Sequence, residues 1–326
     1  MKLPFKSPRL SRAIRQEAKE NAALGKPLNI MNDIVFKAVF AGNNNDSREA
    51  LKFILAGCTH RPIKAVRVMN NEIIPEYISG KTVHLDVHVT FNDGEKANLE
   101  MQMQRGDDDI KTRASVYGAR LLSEQVHKGE DYQDIKQVYQ IFFLNFDLFP
   151  GSRKVPRRYY PMEEEELDIL NDKLVTMFFE LPKMDEMVRE YFSGKRALET
   201  LPIELKWCIY LRYKVDTNAA KLIEELCRQE EGIMRADRAL KKISRDEEQW
   251  ARALFREKAA MDYRSGMNAS RRAGREEGRA EGLALGEEKG LAKGLAKGLA
   301  KSQKVIEEKD REIAALKRRL QEKEGV

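Results

Sequence analysis

Cysteine is scarce in this sequence, and long apolar runs are absent. The three cysteines, Cys58, Cys208 and Cys227, are odd in number and far apart, which argues against a disulfide framework and a zinc module. No apolar stretch approaches the roughly 20 residues that a membrane-spanning helix needs. The basic N-terminal segment also lacks the apolar core of a secretory signal. We therefore expect a protein of the reducing cytoplasm that does not enter the membrane.

Several widespread catalytic motifs are also missing. The chain has no Walker phosphate loop, no glycine-rich dinucleotide turn and no Gly-x-Ser-x-Gly nucleophile elbow. Its 59 basic and 53 acidic residues nearly balance and leave a net charge of +6, which permits a polyanionic partner without requiring one. With 326 residues, 42% of them hydrophobic, the chain is long enough for one large domain with appendages.

The strongest local pattern is a pair of alternating stretches. Apolar and polar residues alternate from Thr82 to Phe91 and again from Ala97 to Gln104, which predicts two half-buried strands. Asn92-Asp93-Gly94 lies between them and predicts a three-residue hairpin loop, with Gly94 in the left-handed conformation. A two-residue loop would oppose polar to apolar side chains along the whole ladder. The three-residue loop instead pairs Val87 with Leu99.

This register places Asp86 directly opposite Glu100. Two carboxylates so placed have Cβ atoms about 4.5–5.5 Å apart, and their charges repel. Either a shared proton or a divalent cation would compensate, and the neighbouring polar side chains of Gln102 and His84 favour the cation. We therefore predict a metal site on the sheet, and we expect the carboxylate pair to have no structural purpose without an ion.

These residues resemble a known nuclease motif. Asp86, a thirteen-residue gap and then Glu100-x-Gln102 are similar to the Asp…Glu-x-Lys signature of PD-(D/E)XK nucleases, in the Glu-x-Gln form of the family of recombination-promoting nucleases and transposases. The resemblance covers roughly residues 28–185. It includes further segments in the same order: Asn32 to Lys37, Arg113 to Tyr117, Gly129 to Tyr132, Glu180 to Lys183 and a glycine-rich tail.

The resemblance implies an α/β fold with a restriction-endonuclease-like sandwich core and a metal-dependent DNA endonuclease that promotes recombination. Asp86 and Glu100, with the Met101 carbonyl, would hold Mg²⁺, or alternatively Mn²⁺. Gln102 would stand where most of the superfamily has the lysine that orients the attacking water. Asp33 would act as an outer ligand or hold a water molecule. The rival interpretation is a non-catalytic DNA-binding scaffold that keeps the nuclease fold.

A helix is predicted from Ile110 to about Val126, and the acidic cluster Asp107-Asp108-Asp109 would cap it. On this helix Arg113, Tyr117 and Arg120 form one stripe. The resemblance makes the stripe a candidate DNA contact. A solvated face with a packed tyrosine explains the same pattern about equally well.

Two histidines flank Asp86 at alternate positions of the first strand. His84 and His88 would join Asp86 on one face, a set that suits zinc or manganese as well as magnesium. An exposed strand face explains His88 about as well. Whether either histidine joins the metal site is left open by the sequence.

The remaining patterns predict four regions. They are a largely solvated basic N-terminal arm at 1–27, a nuclease-like domain at 28–184, a helical region at 185–270 and a helical tail at 271–326. Within the nuclease-like domain, helices are expected from Asn32 or Asp33 and from Asp46 to Gly57. Further strands are expected at 63–69, 138–144 and 173–180.

The tail carries a strict four-residue glycine repeat from Gly274 to Gly298, followed by apolar heptad positions at Ile306, Ile313, Leu316 and Leu320. Each glycine costs a helix about 1 kcal/mol relative to alanine. Close pairing of helices through the glycines would offset this cost. We therefore expect a homo-oligomer formed through the tail, against the alternative of a helix that is marginal alone.

Overall fold

The computed structural model describes residues 11–70, 72–73, 83–92, 94–106, 109–126 and 131–324. The chain divides into two compact units, Met1–Lys258 and Ala259–Val326. The helices are α1 Arg12–Ala23, α2 Asp33–Phe40, α3 Asn45–Thr59, α4 Ile110–Ser123, α5 Met184–Phe192, α6 Ile203–Tyr213, α7 Ala220–Gln229, α8 Glu231–Ile243 and α9 Glu247–Glu324. The strands are β1 Val66–Val68, β2 Glu72–Ile73, β3 Val83–His84, β4 Val87–Phe91, β5 Glu95–Gln102, β6 Val138–Leu144, β7 Arg157–Tyr159 and β8 Leu174–Glu180.

Among the described residues, six strands form one mixed sheet in the order β1-β4-β5-β6-β8-β7. The first three are antiparallel neighbours. Strands β5, β6 and β8 are parallel, and every residue of β6 is buried, as expected for a central strand. Strand β7 adds an antiparallel edge next to β8.

The hairpin register is confirmed, because Val87 lies opposite Leu99. The loop adopts left-handed backbone conformations at Asn92, with φ of 45°, and at Gly94, with φ of 102°. Asp93 lies outside the described residues. The prediction of one continuous first strand is wrong, because pairing stops between β3 and β4 and β3 pairs with β2 instead.

The two faces of the sheet are covered by different helices. Leu99 and Met101 of β5 point into the large core, which also contains buried residues of α1, α2, α3, α6 and α8. On the opposite face, Ile110 and Ala114 of α4 pack against Phe142 and Phe178. The sheet therefore lies between helical layers, and this α/β sandwich agrees with the expected fold class.

The buried face of the first helix was not expected. Residues 1–27 were predicted to be a largely solvated arm, but α1 buries Ile14, Ala18 and Ala22 in the large core. Ser11 begins this helix by accepting a hydrogen bond from the backbone N–H of Ile14 at 3.3 Å. The arm prediction is therefore wrong for Arg12–Ala23, since a narrow alanine-based stripe is enough to pack here.

The limits of α3 also differ from the prediction. Asn44, not Asp46, caps the helix by accepting the backbone N–H of Ser47 at 3.0 Å. The helix continues through Gly57, which lies against Ile203 and Trp207, and it ends where His60 takes a left-handed conformation with φ of 56°. By contrast, α2 begins at Asp33 with Asn32 as its cap, as expected.

The helices that follow the sheet contribute to the same core as the sheet. Buried residues of α6, α7 and α8 lie in one hydrophobic cluster with those of β5 and β6. Among them, Trp207 and Tyr210 are large side chains with no exposed surface. None of the described helices is both long and apolar enough to cross a membrane.

Candidate active site

The predicted carboxylate pair lies where the β4–β5 ladder ends. Backbone pairing stops at Val87, and beyond it side-chain carboxylates accept the hydrogen bonds between the two segments. The backbone N–H of Asp86 donates to Glu100 Oε1 at 3.0 Å, and the backbone N–H of Met101 donates to Asp86 Oδ2 at 3.0 Å. Each carboxylate therefore accepts an amide from the opposite strand. The expectation that the pair has no structural purpose without an ion is wrong, because it closes this end of the hairpin.

A lysine outside the Asp…Glu-x-Gln motif also contacts Asp86. Lys37 Nζ lies 3.1 Å from Asp86 Oδ1. The lysine is on α2, whose buried residues Val35, Phe36, Val39 and Phe40 anchor the helix in the large core. The positive charge of Lys37 thus offsets the repulsion between the carboxylates, as a shared proton or a metal ion also would. The sequence offered one indication that Lys37 belongs to the site: it lies in the segment Asn32 to Lys37, which is part of the family resemblance.

Glu100 is the more buried carboxylate, with 3% of its surface exposed. Its Oε1 accepts a second hydrogen bond, from Asn98 Nδ2 at 3.0 Å, and Gln102 Nε2 lies 3.5 Å from Oε2. Burial, followed by repulsion from Asp86, raises the pKa of Glu100 to about 7, although Asn98 and Arg113 act in the opposite direction.

Asp86 is affected in the same way. Burial raises the pKa of its carboxyl group, although Lys37 and the Met101 amide oppose the shift. Asp33 adds to it, since its negative charge also raises the pKa of Asp86. The pair therefore has more negative charge than its buried surroundings favour.

Asp33 lies one turn before Lys37 on α2, so both belong to the helix face that meets Asp86. Its carboxylate is engaged by Arg256 of α9, with Nη2 3.0 Å from Oδ2. Asp33 is therefore close enough to act on Asp86 electrostatically while its oxygens accept from an arginine. This position is compatible with an outer role.

The stripe on α4 is only partly drawn into the site. Asp109 caps the helix, as expected, and Asp107 and Asp108 lie outside the described residues. The guanidinium carbon of Arg113 lies 5.8 Å from the centre of the Tyr117 ring, and its charge lowers the pKa of Glu100. Arg120 is seven residues further along, about 10 Å from Arg113 along the helix axis.

The histidines fall on either side of the strand break. His88 is buried, one of its ring nitrogens lies 2.8 Å from the Asn70 carbonyl oxygen, and burial lowers its pKa. The side chain of His84 lies outside the described residues. Among the residues that the structure describes, no three acidic, histidine or cysteine side chains gather as a metal-binding group. The described acidic ligands available here are therefore Asp86 and Glu100.

The donor set fits a hard divalent cation. Two carboxylates converge, and the pKa values of both are raised because negative charge is buried. Glu100 Oε2 has one long contact, whereas Oε1 already accepts two hydrogen bonds, so Oε2 retains the greater capacity to bind a cation. Oxygen ligands of this kind suit Mg²⁺ and Mn²⁺. The remaining ligands would be carbonyl groups or water.

The raised pKa of Glu100 predicts a specific dependence of stability on pH. The folded protein holds a proton on Glu100 up to about 7, whereas the ordinary value is 4.5. In the absence of divalent ions, wild type should therefore lose stability relative to Glu100→Gln as pH rises through this window, by at most about 3 kcal/mol. Urea unfolding in EDTA at about pH 5 and about pH 8 measures the difference.

Glu186→Gln is the control, because Glu186 forms an exposed pair with Arg153 at 3.7 Å. It should follow the wild-type pH dependence, since exposed pairs contribute little. Parallel pH profiles for wild type and Glu100→Gln would contradict the buried, proton-holding state of Glu100.

Comparison with known proteins supports the resemblance seen in the sequence. A family model described as "PD-(D/E)XK nuclease family transposase" matches residues 30–270, which is most of the chain. The match includes α2, the carboxylate hairpin and α4. No solved structure matches the chain significantly. Nucleases of this superfamily typically use divalent metal ions and act on DNA, and the chain belongs to the PD-(D/E)XK nuclease family transposases.

Proposed function

We propose that this chain is a metal-dependent DNA endonuclease that promotes recombination by cutting phosphodiester bonds. The observation that carries the proposal is the contact between Lys37 and Asp86, whose backbone N–H donates to the buried Glu100. Two carboxylates and a lysine supply the charges that the Asp…Glu-x-Lys signature supplies elsewhere in the superfamily. In this chain the positively charged side chain, Lys37, is on α2, whereas the third position of the motif is Gln102.

Asp86 and Glu100 would hold the ion, together with the Met101 carbonyl. When bound, a divalent cation lowers the pKa of a water nucleophile and neutralises charge that develops on the scissile phosphate. Mg²⁺ is the first candidate and Mn²⁺ the second. Because backbone amides already fix both carboxylates, these side chains need little rearrangement to act as ligands.

Lys37 and Gln102 divide the role of the missing lysine. Lys37 contributes positive charge beside Asp86 and can donate to a phosphate oxygen or to the attacking water. Gln102, whose amide lies against Glu100 Oε2, can orient water but carries no charge. Asp33 lies on the same face of α2 and would hold an outer water molecule, and Arg113 would place positive charge near the bound phosphate.

The alternative function is a non-catalytic DNA-binding scaffold. One observation favours it: the backbone amides and Lys37 already compensate the carboxylates, so the fold does not need a metal ion. Thermal stabilisation by Mg²⁺ separates the two functions. The nuclease should be stabilised by Mg²⁺, and Asp86→Ala should abolish that stabilisation.

The carboxylates themselves provide the first test of activity. Asp86→Asn and Glu100→Gln should each abolish cleavage of supercoiled plasmid in Mg²⁺ or Mn²⁺, because each removes a charged metal ligand. Both proteins should remain folded, since each substitution also relieves repulsion between the carboxylates. Circular dichroism and gel assays of the two variants check this expectation, and wild-type rates in either variant would refute the assignment.

The division between Lys37 and Gln102 predicts different results at the two positions. Lys37→Met should lower the cleavage rate about 100-fold, the scale of a lost positioning contact. Gln102→Leu should cause a loss of similar size, whereas Gln102→Lys should retain activity or shift the metal preference. Cleavage kinetics at several Mg²⁺ and Mn²⁺ concentrations measure these effects.

Lys52→Met is the matched control for Lys37→Met. Lys52 also forms an ion pair, with Glu49 at 3.0 Å, but it lies on α3. Its loss should leave cleavage unchanged. If Lys37→Met cleaves as fast as Lys52→Met, Lys37 has no part in the reaction.

We also propose that the tail joins chains into an oligomer. Helix α9 extends to Glu324, and apolar side chains are exposed along it: Leu291, Leu295, Leu299, Ile306, Ile313 and Leu316. A Cβ atom at each glycine from Gly274 to Gly298 would meet no described atom within 4 Å, so a second helix can approach closely there. The side chain of Leu320, the last expected heptad position, lies outside the described ones.

Truncation near Ser270 should convert an oligomer into a monomer. Association should be weak and dependent on concentration, because Lys309 interrupts the apolar heptad positions. Sedimentation of both proteins over a range of concentrations measures the change in mass. If both proteins contain the same number of chains per particle, the tail is excluded as the contact.

A further inference from the structure

Two positively charged side chains lie over one aromatic ring beside the sheet. Lys111 Nζ, from the first turn of α4, lies 4.8 Å from the centre of the Phe149 ring. The guanidinium carbon of Arg157, from β7, lies 4.5 Å from the same centre. The ring thus holds two cations close together, in an arrangement that attraction to its π face stabilises.

A tyrosine fixes the arginine further. Arg157 Nε donates to the Tyr159 hydroxyl at 3.0 Å, and the Tyr159 ring stacks on Phe149 with centroids 5.9 Å apart. Tyr159 also packs edge to face on Phe178 of β8. The guanidinium is therefore held by the sheet and does not extend freely into solvent.

Within the described part of the chain, neither cation forms a salt bridge with a carboxylate. Asp109 lies near Lys111, but its carboxylate accepts the backbone N–H groups of Lys111 and Thr112 and the Thr112 hydroxyl. It therefore acts as the helix cap. Two fixed cations on a covered aromatic ring suit an anionic partner better than a stacked base, because little of the ring is open.

The sheet relates this cluster to the proposed active site. The strand registers place Glu100, Phe142, Phe178 and Arg157 in one row across β5, β6, β8 and β7. All four residues consequently share the face that α4 covers. Three strand spacings of about 4.8 Å separate Glu100 from Arg157, which is about 14 Å. This matches about four nucleotide steps of a duplex, at about 3.4 Å each.

A cavity lies at the carboxyl ends of β5 and β6, beside the amino end of α4. Its volume is about 520 Å³, and its lining includes Arg105, Lys111 and Phe146. Arg105 follows Gln102 by three residues, so the lining leads from the site towards Lys111. A backbone crossing this edge of the sheet would meet positive charge along its course.

We propose that Lys111 and Arg157, held on Phe149, form a docking surface for the sugar-phosphate backbone of DNA about four nucleotides from the scissile bond. The proposal rests on the proposed nuclease function and adds to it the residues that hold the substrate. Contacts of this kind position a duplex without reading its sequence. The surface should therefore raise affinity equally for unrelated sequences.

Binding can be measured without cleavage in the Glu100→Gln background. Fluorescence anisotropy of a labelled DNA duplex, at several salt concentrations with EDTA, gives the affinity and its salt dependence. Lys111→Gln and Arg157→Gln should each weaken binding several-fold and reduce the slope of log affinity against log salt by about 1. Arg157→Lys should retain the slope, and Phe149→Leu should weaken binding because it releases both cations.

Lys64→Gln is the matched control. Lys64 is exposed and precedes β1, at the opposite edge of the sheet, and its substitution changes the net charge equally. The docking surface would be overturned if Lys111→Gln and Arg157→Gln had the same affinity and salt slope as Lys64→Gln. A loss confined to an RNA duplex of the same sequence would overturn the assignment to DNA. If Asp86→Asn abolishes cleavage as expected but Lys111→Gln leaves the affinity for DNA unchanged, the docking surface is rejected and the nuclease function stands.

Discussion

The reciprocal hydrogen bonds between Asp86 and the Glu100–Met101 segment are the interaction on which this site depends. They replace the next backbone pair of the hairpin, and they place the buried Glu100 beside the partly buried Asp86. Buried charge is costly unless it is hydrogen-bonded and compensated. The arrangement therefore requires α2 to dock on the sheet, since α2 carries Lys37 to Asp86.

The charges of the site nearly cancel. Asp86 and Glu100 contribute two negative charges when ionised, and Lys37 and Arg113 contribute two positive ones. Even so, burial and mutual repulsion raise the pKa of Glu100 to about 7, so the geometry favours a proton on it near neutral pH. A cation that binds this pair must compete with that proton, which couples metal affinity to pH.

The sequence predicts the hairpin well because its signals are local. Alternation identifies the strands, and the parity of the loop selects the register that places Asp86 opposite Glu100. The break before Val87 is not visible in the same way, since alternation continues through Leu85 and Asp86 while side chains replace the backbone pairing. A pattern of polarity reports which face a residue takes, but not which atom accepts its hydrogen bond.

The position of Lys37 is harder to predict for a different reason. Its distance from Asp86 is set by the packing of Val35, Phe36, Val39 and Phe40 in the core, a contact between segments far apart in sequence. Helical spacing predicts only that Lys37 shares a face with Asp33. The buried face of α1 was missed for a related reason, because Ala18 and Ala22 carry too little apolar surface to mark a stripe.

Asn98 explains how Glu100 is tolerated so far inside the fold. Its Nδ2 donates both to Glu100 Oε1 and to Gln140 Oε1, at 3.0 and 3.3 Å, so the polar row continues from β5 into β6 beneath α4. An apolar residue at this position would leave Glu100 with fewer donors in a low-dielectric setting, where each one matters more. Backbone amides, Asn98 and Lys37 together fix both carboxylates before any ion binds. Because folding already orders these side chains, the binding of a cation costs little further conformational entropy.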